Sequence, residues 1–406
     1  MLATLEKGVK GGCWYSLMDK VYRPRTLYRA YARVARNKGA AGVDHVTVKE
    51  FTRNLSRNLE DLTDSLREGS YRPQAVRRVW IPKPGRRERR PLGIPTVRDR
   101  VVQTALRIVL EPIFEQGFAE QSYGFRPGRG CKDALRRVDE LLKAGYRYAV
   151  DADLKSYFDT IPHERLLARV REKVSDGAVL RLVASFLRQG VLDGMSGWTP
   201  EEGTPQGAVI SPLLSNIYLD PLDHLAARQG HQMVRYADDF VILCRTRQDA
   251  ERALAMVQKW TAEAGLRLHP EKTRIADAEE EGFEFLGYLF RGGRRLVRPK
   301  SLKHIRAVMR AKTRRNAGRS LHSVITDLNR ILRGWFVYYQ HAPAPTYRVL
   351  DAWIRGRLRS ILRRRRGGRG RGRGADHQRW PNAFFTAQGL LSLTAAHALA
   401  RQSARR

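Results

Sequence analysis

Two adjacent acids, Asp238 and Asp239, lie between two apolar runs and are the residues of this chain best placed to do chemistry. The surrounding stretch, residues 233–244, is rich in β-branched and aromatic residues, as strands are. Because Asp tolerates turn geometry, we predict a buried hairpin with Ala237, Asp238 and Asp239 at its tip. Carboxylates gathered at a buried point repel each other unless cations neutralise them, and oxygen-only ligands suit Mg²⁺. An ordinary Asp-Asp turn is the alternative interpretation.

A second acidic group follows the strand predicted at residues 146–150. Asp151 and Asp153 are two positions apart and share a face if the strand continues, and Asp159 follows on the same stretch. Acids that end a buried strand are well placed to hold a metal ion, although they can also simply cap the following turn. If this strand neighbours the hairpin in one sheet, Asp153 and Asp238 can share a pair of Mg²⁺ ions, the usual device for in-line phosphoryl transfer.

The charge of the chain indicates a polyanionic partner. Its 406 residues include 76 Lys and Arg against 41 Asp and Glu, a formal net charge of +35, and nucleic acid is the first candidate partner. The length suffices for two or three domains. The sequence contains no stretch of about 18 apolar residues, which argues against a membrane span, and no secretory signal. Its three cysteines are widely spaced and form neither a disulfide framework nor a zinc site, so we expect a reducing, cytoplasmic setting.

Two separate basic loops could hold the phosphates of such a partner. Residues 83–90 follow a predicted strand and include Arg-Arg-Glu-Arg-Arg, whose charges a hairpin cannot pack against each other. Residues 122–130 combine glycines, which allow close approach to a ligand, with arginines, which suit phosphate. For residues 83–90 the alternative is an ordinary solvated loop. Residues 122–130 by themselves only suggest a phosphate-binding loop. The acids could hold two metal ions, and the basic loops could hold the triphosphate and the template. This combination indicates a nucleotide polymerase.

The periodicity of apolar residues predicts the elements that position these groups. We expect helices at 25–36, 47–68, 98–115, 131–144, 164–174, 178–188 and 249–264, strands at 76–81 and 265–269, and a further strand or hairpin at 282–290. The tight loop Thr204-Pro205-Gln206-Gly207 precedes another apolar helix. After Pro299 the chain becomes basic and helical, over 301–341 and 347–362, and the last residues suggest a short docked helix.

Eight stretches occur in the order in which the reverse transcriptases encoded by bacterial group II introns, also called maturases, carry their motifs. The chain resembles this family over roughly residues 21–364. The Tyr-Ala-Asp-Asp sequence at 236–239 is weak evidence for the family by itself, but eight motifs in the same order are very specific evidence. The stretches are 40–44, 90–100, 122–130, 153–159, 204–207, 236–239, 270–273 and 285–288.

The resemblance implies an α+β fold of the right-hand polymerase type. The fingers would span residues 21–145, and the palm, an antiparallel sheet with flanking helices, residues 146–295. A helical thumb, the maturase X region, would span 300–362. An N-terminal segment (1–20), an Arg/Gly linker (363–374) and a C-terminal tail (375–406) would complete the chain.

The resemblance also assigns roles at the acidic site. Asp153, Asp238 and Asp239 match the catalytic triad, which would bind two Mg²⁺ ions. Since adjacent residues on a strand point apart, we expect Asp239 to matter less in direct ligation. Phe158 matches the steric gate that excludes the ribose 2′-OH, with an ordinary core phenylalanine as the alternative. Lys272 is a candidate general acid for the departure of pyrophosphate.

Further matches concern the nucleotide. Lys83 and Arg90 match the residues of the fingers that bind the incoming triphosphate. The extra arginines leave the register of this match open by one or two positions. Gln206 matches the residue that contacts the nucleotide or the template.

The resemblance therefore implies an RNA-directed DNA polymerase that extends a DNA or RNA primer on an RNA template with dNTPs. It would also bind group II intron RNA as a splicing maturase and act with target DNA in intron mobility. No Cys follows Cys244, so we expect the DNA endonuclease domain of many relatives to be missing. Two alternatives stay open: an RNA-binding splicing factor with little polymerase activity, and a reverse transcriptase recruited to host defence or repair. The oligomeric state is open too.

Overall fold

The computed structural model describes residues 12–82, 89–194, 196–316, 318–370, 372 and 374–403. The chain divides into two compact units, Met1–Asp277 and Ala278–Arg406. The first unit contains the helices α1 (Met18–Val21), α2 (Pro24–Asn37), α3 (Val48–Arg53), α4 (Leu55–Arg67), α5 (Val97–Glu115), α6 (Cys131–Lys143), α7 (Tyr157–Thr160), α8 (His163–Arg171), α9 (Gly177–Leu187), α10 (Ser211–Arg228) and α11 (Arg247–Glu263). Its strands are β1 (Val76–Pro82), β2 (Arg89–Ile94), β3 (Tyr148–Asp153), β4 (Val191–Asp193), β5 (Ser196–Trp198), β6 (Gln232–Tyr236), β7 (Asp239–Cys244) and β8 (Arg274–Asp277).

The second unit begins with three strands and continues as helices. The strands are β9 (Phe283–Phe285), β10 (Tyr288–Arg291) and β11 (Arg294–Val297). The helices are α12 (Pro299–Lys312), α13 (Leu321–Tyr339), α14 (Ala344–Arg365), α15 (Gly374–Arg379), α16 (Asn382–Ala387) and α17 (Leu393–Ser403). Among the residues described, no helix is both long enough and apolar enough to cross a membrane.

The fold is a mixed α+β structure in which most of the expected helices form. The one helix expected at 47–68 is instead two, α3 and α4, separated at Asn54. This residue has φ −118° and ψ 39°, outside the helical region, and Asn is a poor helix former because its side chain competes for backbone groups. The side chain of Asn58 donates to the carbonyl of Phe51 at 2.9 Å, which satisfies a group that the break exposes.

The stretch at 40–44 is fastened to the start of α5. Arg100 Nη2 donates to the carbonyl of Ala40 at 2.7 Å, and Arg77 Nη2 donates to the carbonyl of Ala41 at 2.7 Å. Gly42 has no room for a side chain, because a Cβ there would lie 2.7 Å from the backbone of Thr96. Two of the motifs are therefore in direct contact.

The central sheet of the first unit has the strand order β6-β7-β3-β8, with every neighbouring pair antiparallel. Strand β3 continues through Asp153 instead of ending at Val150, so Asp151 and Asp153 do share a face. In the β6–β7 hairpin, Tyr236 already pairs with Asp239. The tip therefore consists of Ala237 and Asp238 alone, and the prediction that Asp239 belongs to it was wrong.

A second sheet has the order β2-β1-β4-β5. Strands β1 and β2 are antiparallel, with Pro82 opposite Arg89, which agrees with the hairpin predicted there. Its connection, and with it Lys83, lies outside the described residues. The backbone N–H of Gly93 in β2 donates to the carbonyl of Gln206 at 2.7 Å. This hydrogen bond places the Pro-Gln-Gly loop against the second sheet.

The strand expected at 265–269 is not formed. A single isolated bridge joins Leu154 to Leu268, and the N–H of His269 donates to the carbonyl of Asp153 at 2.7 Å. Pro270 follows and has no N–H with which to continue a ladder. The segment still runs beside the end of β3, and it brings Lys272 to the acidic site.

In the second unit, β9, β10 and β11 form an antiparallel sheet, which confirms a hairpin at 282–290. Phe283 and Phe290 stack there with ring centroids 5.2 Å apart. The expected basic helices are α12 to α14, and α14 extends to Arg365, into the Arg/Gly stretch. The tail forms α16 and α17, which agrees with the docked helix predicted there.

Candidate active site

Three acidic residues lie at one end of the central sheet. Asp153 is the last residue of β3, and its register partner across the ladder is Asp239, the first residue of β7. Directly opposed residues of an antiparallel pair lie on the same face. Asp238 precedes Asp239 in the two-residue turn. Two neighbouring strands and one turn therefore bring together the three acids that the sequence predicts.

Positively charged side chains act on two of these acids, Asp238 and Asp153. Burial raises the pKa of the Asp238 carboxyl, and the Asp153 carboxylate raises it further, whereas Arg90 and Arg235 oppose the rise. Lys272 Nζ forms a salt bridge with Asp153 Oδ2, and both side chains are about half exposed. Lys272 therefore neutralises one acid of the group without entering the interior.

The turn itself is a strained element. Ala237 has φ +61°, in the left-handed region that disfavours residues with a Cβ. Gly124 packs directly against it, because a Cβ on Gly124 would overlap the backbone of Tyr236 and Ala237. The glycine of the 122–130 stretch thus supports the acidic turn through close backbone approach.

One arginine of this glycine-rich stretch, Arg126, differs from the prediction that these arginines suit phosphate. Arg126 is buried and donates to the carbonyl of Ser122 at 3.0 Å and to Glu115 Oε1 at 2.8 Å. These groups occupy its guanidinium, so Arg126 holds the loop instead of meeting a ligand. For Arg126 the expectation was wrong, because the sequence does not show that the loop folds back over this arginine.

Arg90 and Gln206 come together on the side of the second sheet. Arg90 Nε donates to Gln206 Oε1 at 2.7 Å, and Gln206 Nε2 donates to both carboxylate oxygens of Asp159 at 3.2 Å. Burial raises the pKa of Asp159, although Gln206, Arg78 and Arg90 oppose the rise. Asp159 therefore pairs with Gln206 in this structure.

A cavity of about 280 Å³ adjoins this chain of polar groups. Phe158 is half-buried on its wall and meets Tyr157 edge-on, with ring centroids 5.4 Å apart. Gln206 and Asp159 line the same cavity. The predicted steric gate and the predicted nucleotide contact thus share one wall.

One residue that supports the turn was missed in the sequence. Arg235, in β6, is completely buried and forms a salt bridge with Asp223 of α10 at 2.5 Å. Burial disfavours its charge, but Asp223 overrides this effect, so the pKa of Arg235 lies above its ordinary value. The signal was available, since Arg235 is a charged residue inside an otherwise apolar strand.

The donor set fits a hard divalent cation. Within the described ranges, no group of three or more His, Cys, Asp and Glu side chains is already arranged to hold a metal ion. Mg²⁺ does not require such a group, because it is usually bound through one or two protein carboxylates together with substrate phosphates and water. A set of carboxylates with no nitrogen or sulfur ligand matches this preference.

Comparison with known families identifies the fold that carries this site. Residues 81–290 match the family model of the reverse transcriptase, described as an RNA-dependent DNA polymerase. The chain belongs to the reverse transcriptase family. Residues 302–380 of this reverse transcriptase match the maturase-specific domain of group II introns. The paired acids lie in the first matched region, and α13 and α14 lie in the second.

Relatives of this reverse transcriptase point to the same origin. Protein YkfC of Escherichia coli (strain K12) is 35% identical over 326 residues, which cover 70% of this chain and 84% of YkfC. The group II intron-encoded protein LtrA of Lactococcus lactis subsp. cremoris is 40% identical over 203 residues, or 50% of this chain and 33% of LtrA. The chain is thus a reverse transcriptase of the group II intron-encoded type, and its match spans about a third of LtrA.

Proposed function

We propose that this protein extends a primer on an RNA template with dNTPs, at a site formed by Asp153, Asp238 and Asp239. The observation that carries the proposal is the β3–β7 register, which places Asp153 opposite Asp239 and the turn residue Asp238 beside them. Carboxylates on adjacent strands are the donor arrangement that in-line phosphoryl transfer with two metal ions uses.

We propose that two Mg²⁺ ions bind at this site. Asp153, Asp238 and Asp239 are the residues that would hold them. When bound, the cations would promote deprotonation of the primer hydroxyl and stabilise charge on the leaving pyrophosphate. Lys272 pairs with Asp153 in the structure, so cation binding would compete with this salt bridge. A released Lys272 could then donate a proton from Nζ to the pyrophosphate.

The residues around the cavity would orient the nucleotide. Arg90 presents a guanidinium, which suits phosphate geometry, and its bond to Gln206 fixes both side chains. We propose that Arg90 and Lys83 bind the triphosphate, that Gln206 contacts the nucleotide or the template, and that Phe158 excludes the ribose 2′-OH. In this proposal the first unit comprises the fingers and most of the palm.

The maturase function is the second part of the proposal. The maturase-specific match covers helices that carry many arginines, and a basic helical surface suits an RNA backbone. We propose that residues 300–362 form the thumb and that the chain binds its group II intron RNA. Action on target DNA during intron mobility is a further extension that rests on the relatives.

The alternatives, a splicing factor with little polymerase activity and a reverse transcriptase recruited to defence or repair, predict different results in one assay. Primer extension on an RNA template with dNTPs and Mg²⁺ should proceed for the wild type and stop with EDTA. Asp238→Ala should abolish extension while keeping RNA affinity within about twofold. Tight RNA binding without any wild-type extension would support the splicing-factor alternative. Equal extension by both proteins would mean that the site is misplaced.

A further inference from the structure

A buried arginine is fixed beneath the acidic turn. Arg235 lies on β6 with its side chain completely buried, and it contacts Asp223 through two of its nitrogens. Arg235 Nε donates to Asp223 Oδ1 at 2.8 Å, and Nη2 donates to Asp223 Oδ2 at 2.5 Å. This bidentate geometry fixes the plane of the guanidinium.

The remaining nitrogen of Arg235 reaches the turn. Its Nη1 donates to the carbonyl of Ala237 at 2.9 Å and to Asn216 Oδ1 at 2.9 Å. Ala237 is the residue held in the left-handed region, at φ +61°. A residue with a Cβ keeps such a conformation only when its surroundings enforce it. The hydrogen bond from Arg235 supplies one such constraint.

Asn216 extends the network to the other side of the turn. Its Nδ2 donates to the carbonyl of Gly124 at 2.8 Å, and Gly124 packs against the backbone of Ala237. The backbone of Arg235 also pairs with this loop, because Arg235 N donates to the carbonyl of Gln121 at 2.9 Å. Helix α10, strand β6 and the glycine-rich loop therefore all converge on the two-residue turn.

We propose that Arg235 is a positioning residue for DNA synthesis, which holds the Ala237–Asp238 turn so that Asp238 and Asp239 face Asp153. The proposal rests on the proposed function and assigns no contact between Arg235 and substrate. A buried ion pair is a weak source of stability, since an apolar pair of similar size often replaces it without loss. The directed bond to Ala237 is what such an apolar pair cannot supply.

Two variants separate positioning from stability. Arg235→Met combined with Asp223→Leu removes the charges as a pair, so no unpaired charge stays buried. Arg235→Lys keeps a charge beside Asp223 but lacks the fork that also reaches Ala237. The control is Arg147→Met with Asp277→Leu, which removes a salt bridge of 2.7 Å at the opposite end of β3.

Three quantities are measured for each variant: thermal melting, the kcat and KM of single-nucleotide extension, and Mn²⁺ binding by electron paramagnetic resonance. The Mn²⁺ measurement uses a complex with a dideoxy-terminated primer–template and a dNTP, so it needs no turnover. We expect both Arg235 variants to bind Mn²⁺ about 10-fold more weakly and to lose about 10- to 100-fold in kcat. KM for primer–template and the melting of the double variant should stay near those of the control.

The outcomes are distinguishable. Wild-type Mn²⁺ affinity and kcat in Arg235→Lys, or in a folded double variant, would overturn the positioning role and leave only a structural one. If the double variant does not fold, Arg235→Lys decides the question by the same two readouts. If the wild type binds Mn²⁺ but never extends a primer, the proposed function fails, whereas the Mn²⁺ affinities still test Arg235.

Discussion

The carboxylate of Asp238 is held where its own charge costs free energy. Burial and the nearby Asp153 both raise its pKa. The neighbouring cation, Lys272, pairs with Asp153 and is about half exposed to water. An arrangement of this kind is unfavourable for folding but suits a site that recruits cations. At Asp238 the requirements of stability and of the proposed chemistry are therefore in conflict.

This conflict predicts that Asp238→Asn stabilises the protein in EDTA while it abolishes extension. The folded protein raises the pKa of Asp238, so the destabilisation by the ionised group is present at high pH and disappears as the pH falls below the unfolded value. We expect the melting temperature of Asp238→Asn to exceed that of the wild type by about 1–2 °C at pH 8, and the two to converge in acid. Asp64→Asn, an exposed carboxylate, is the control. Equal melting of Asp238→Asn and wild type at pH 8 would contradict the argument.

The wall of the cavity gives a second prediction for a single residue. Phe158→Ala should admit ribonucleotides, because removing the ring opens space beside the position proposed for the sugar. We expect the preference for dNTPs over rNTPs to fall about 10- to 100-fold, measured as a ratio of kcat/KM values. Phe118→Leu, a buried phenylalanine outside this wall, should not change the ratio. Unchanged discrimination in an active Phe158→Ala would make Phe158 an ordinary core residue.

The acidic turn at Ala237 and Asp238 depends on the glycine-rich loop, residues 122–130, that lies against it. Gly124→Ala should force the turn to move, because the added Cβ would overlap the backbone of Tyr236 and Ala237. We expect extension to fall at least about 10-fold, since small displacements of reacting groups have effects of this order or larger. Gly130→Ala is the matched control, because Gly130 lies in the same loop, has an extended backbone with φ −158° and would bring its added Cβ no closer than 3.9 Å to another residue. An equal loss in both variants would indicate strain of the loop and not displacement of the turn.

One carboxylate binds the start of the last helix of the second unit. Asp351 of α14 accepts hydrogen bonds from Leu393 N at 3.0 Å and from Thr394 N at 3.0 Å, at the start of α17. Asp351→Ala should cost about 1–3 kcal/mol of local stability and make cleavage by trypsin at Arg401 faster. Asp327→Ala, which removes a more exposed carboxylate of the same unit, should change this rate little. Unchanged cleavage in Asp351→Ala would show that other contacts hold the tail.

We expect the net charge of +35 to dominate the binding of RNA by this protein. A protein that contacts phosphates through Lys and Arg releases counterions on binding, so its affinity falls with salt. We expect RNA affinity to fall at least about 100-fold between 50 and 200 mM salt, measured by fluorescence anisotropy. Affinity that is flat over this range would mean that the basic surface is not what binds RNA.

The sequence predicted the three acids and most helices because these depend on local pattern. Apolar spacing marked α2 and α5, and alternation placed Asp151 and Asp153 on one face. The role of Arg126 was not predictable, because its partners are carbonyls that only the folded loop supplies. Arg235 was visible as a charged residue in a buried strand, but its role was not, since its partner Asp223 lies on another element. Local chemistry was therefore visible in the chain, whereas the supports of the turn depend on tertiary contacts.

The most direct test of the proposed catalytic site is single-turnover incorporation of one dNTP on an RNA template with saturating Mg²⁺. The proteins compared are the wild type, Asp153→Asn, Asp238→Asn and the control Asp64→Asn, each at saturating primer–template. Both site variants should lose about 10³-fold or more in rate, because each removes a carboxylate that would hold the metal ions at the reacting phosphate. Asp64→Asn should match the wild type. A rate within about 10-fold of the wild type for either site variant would contradict the assignment of the catalytic site.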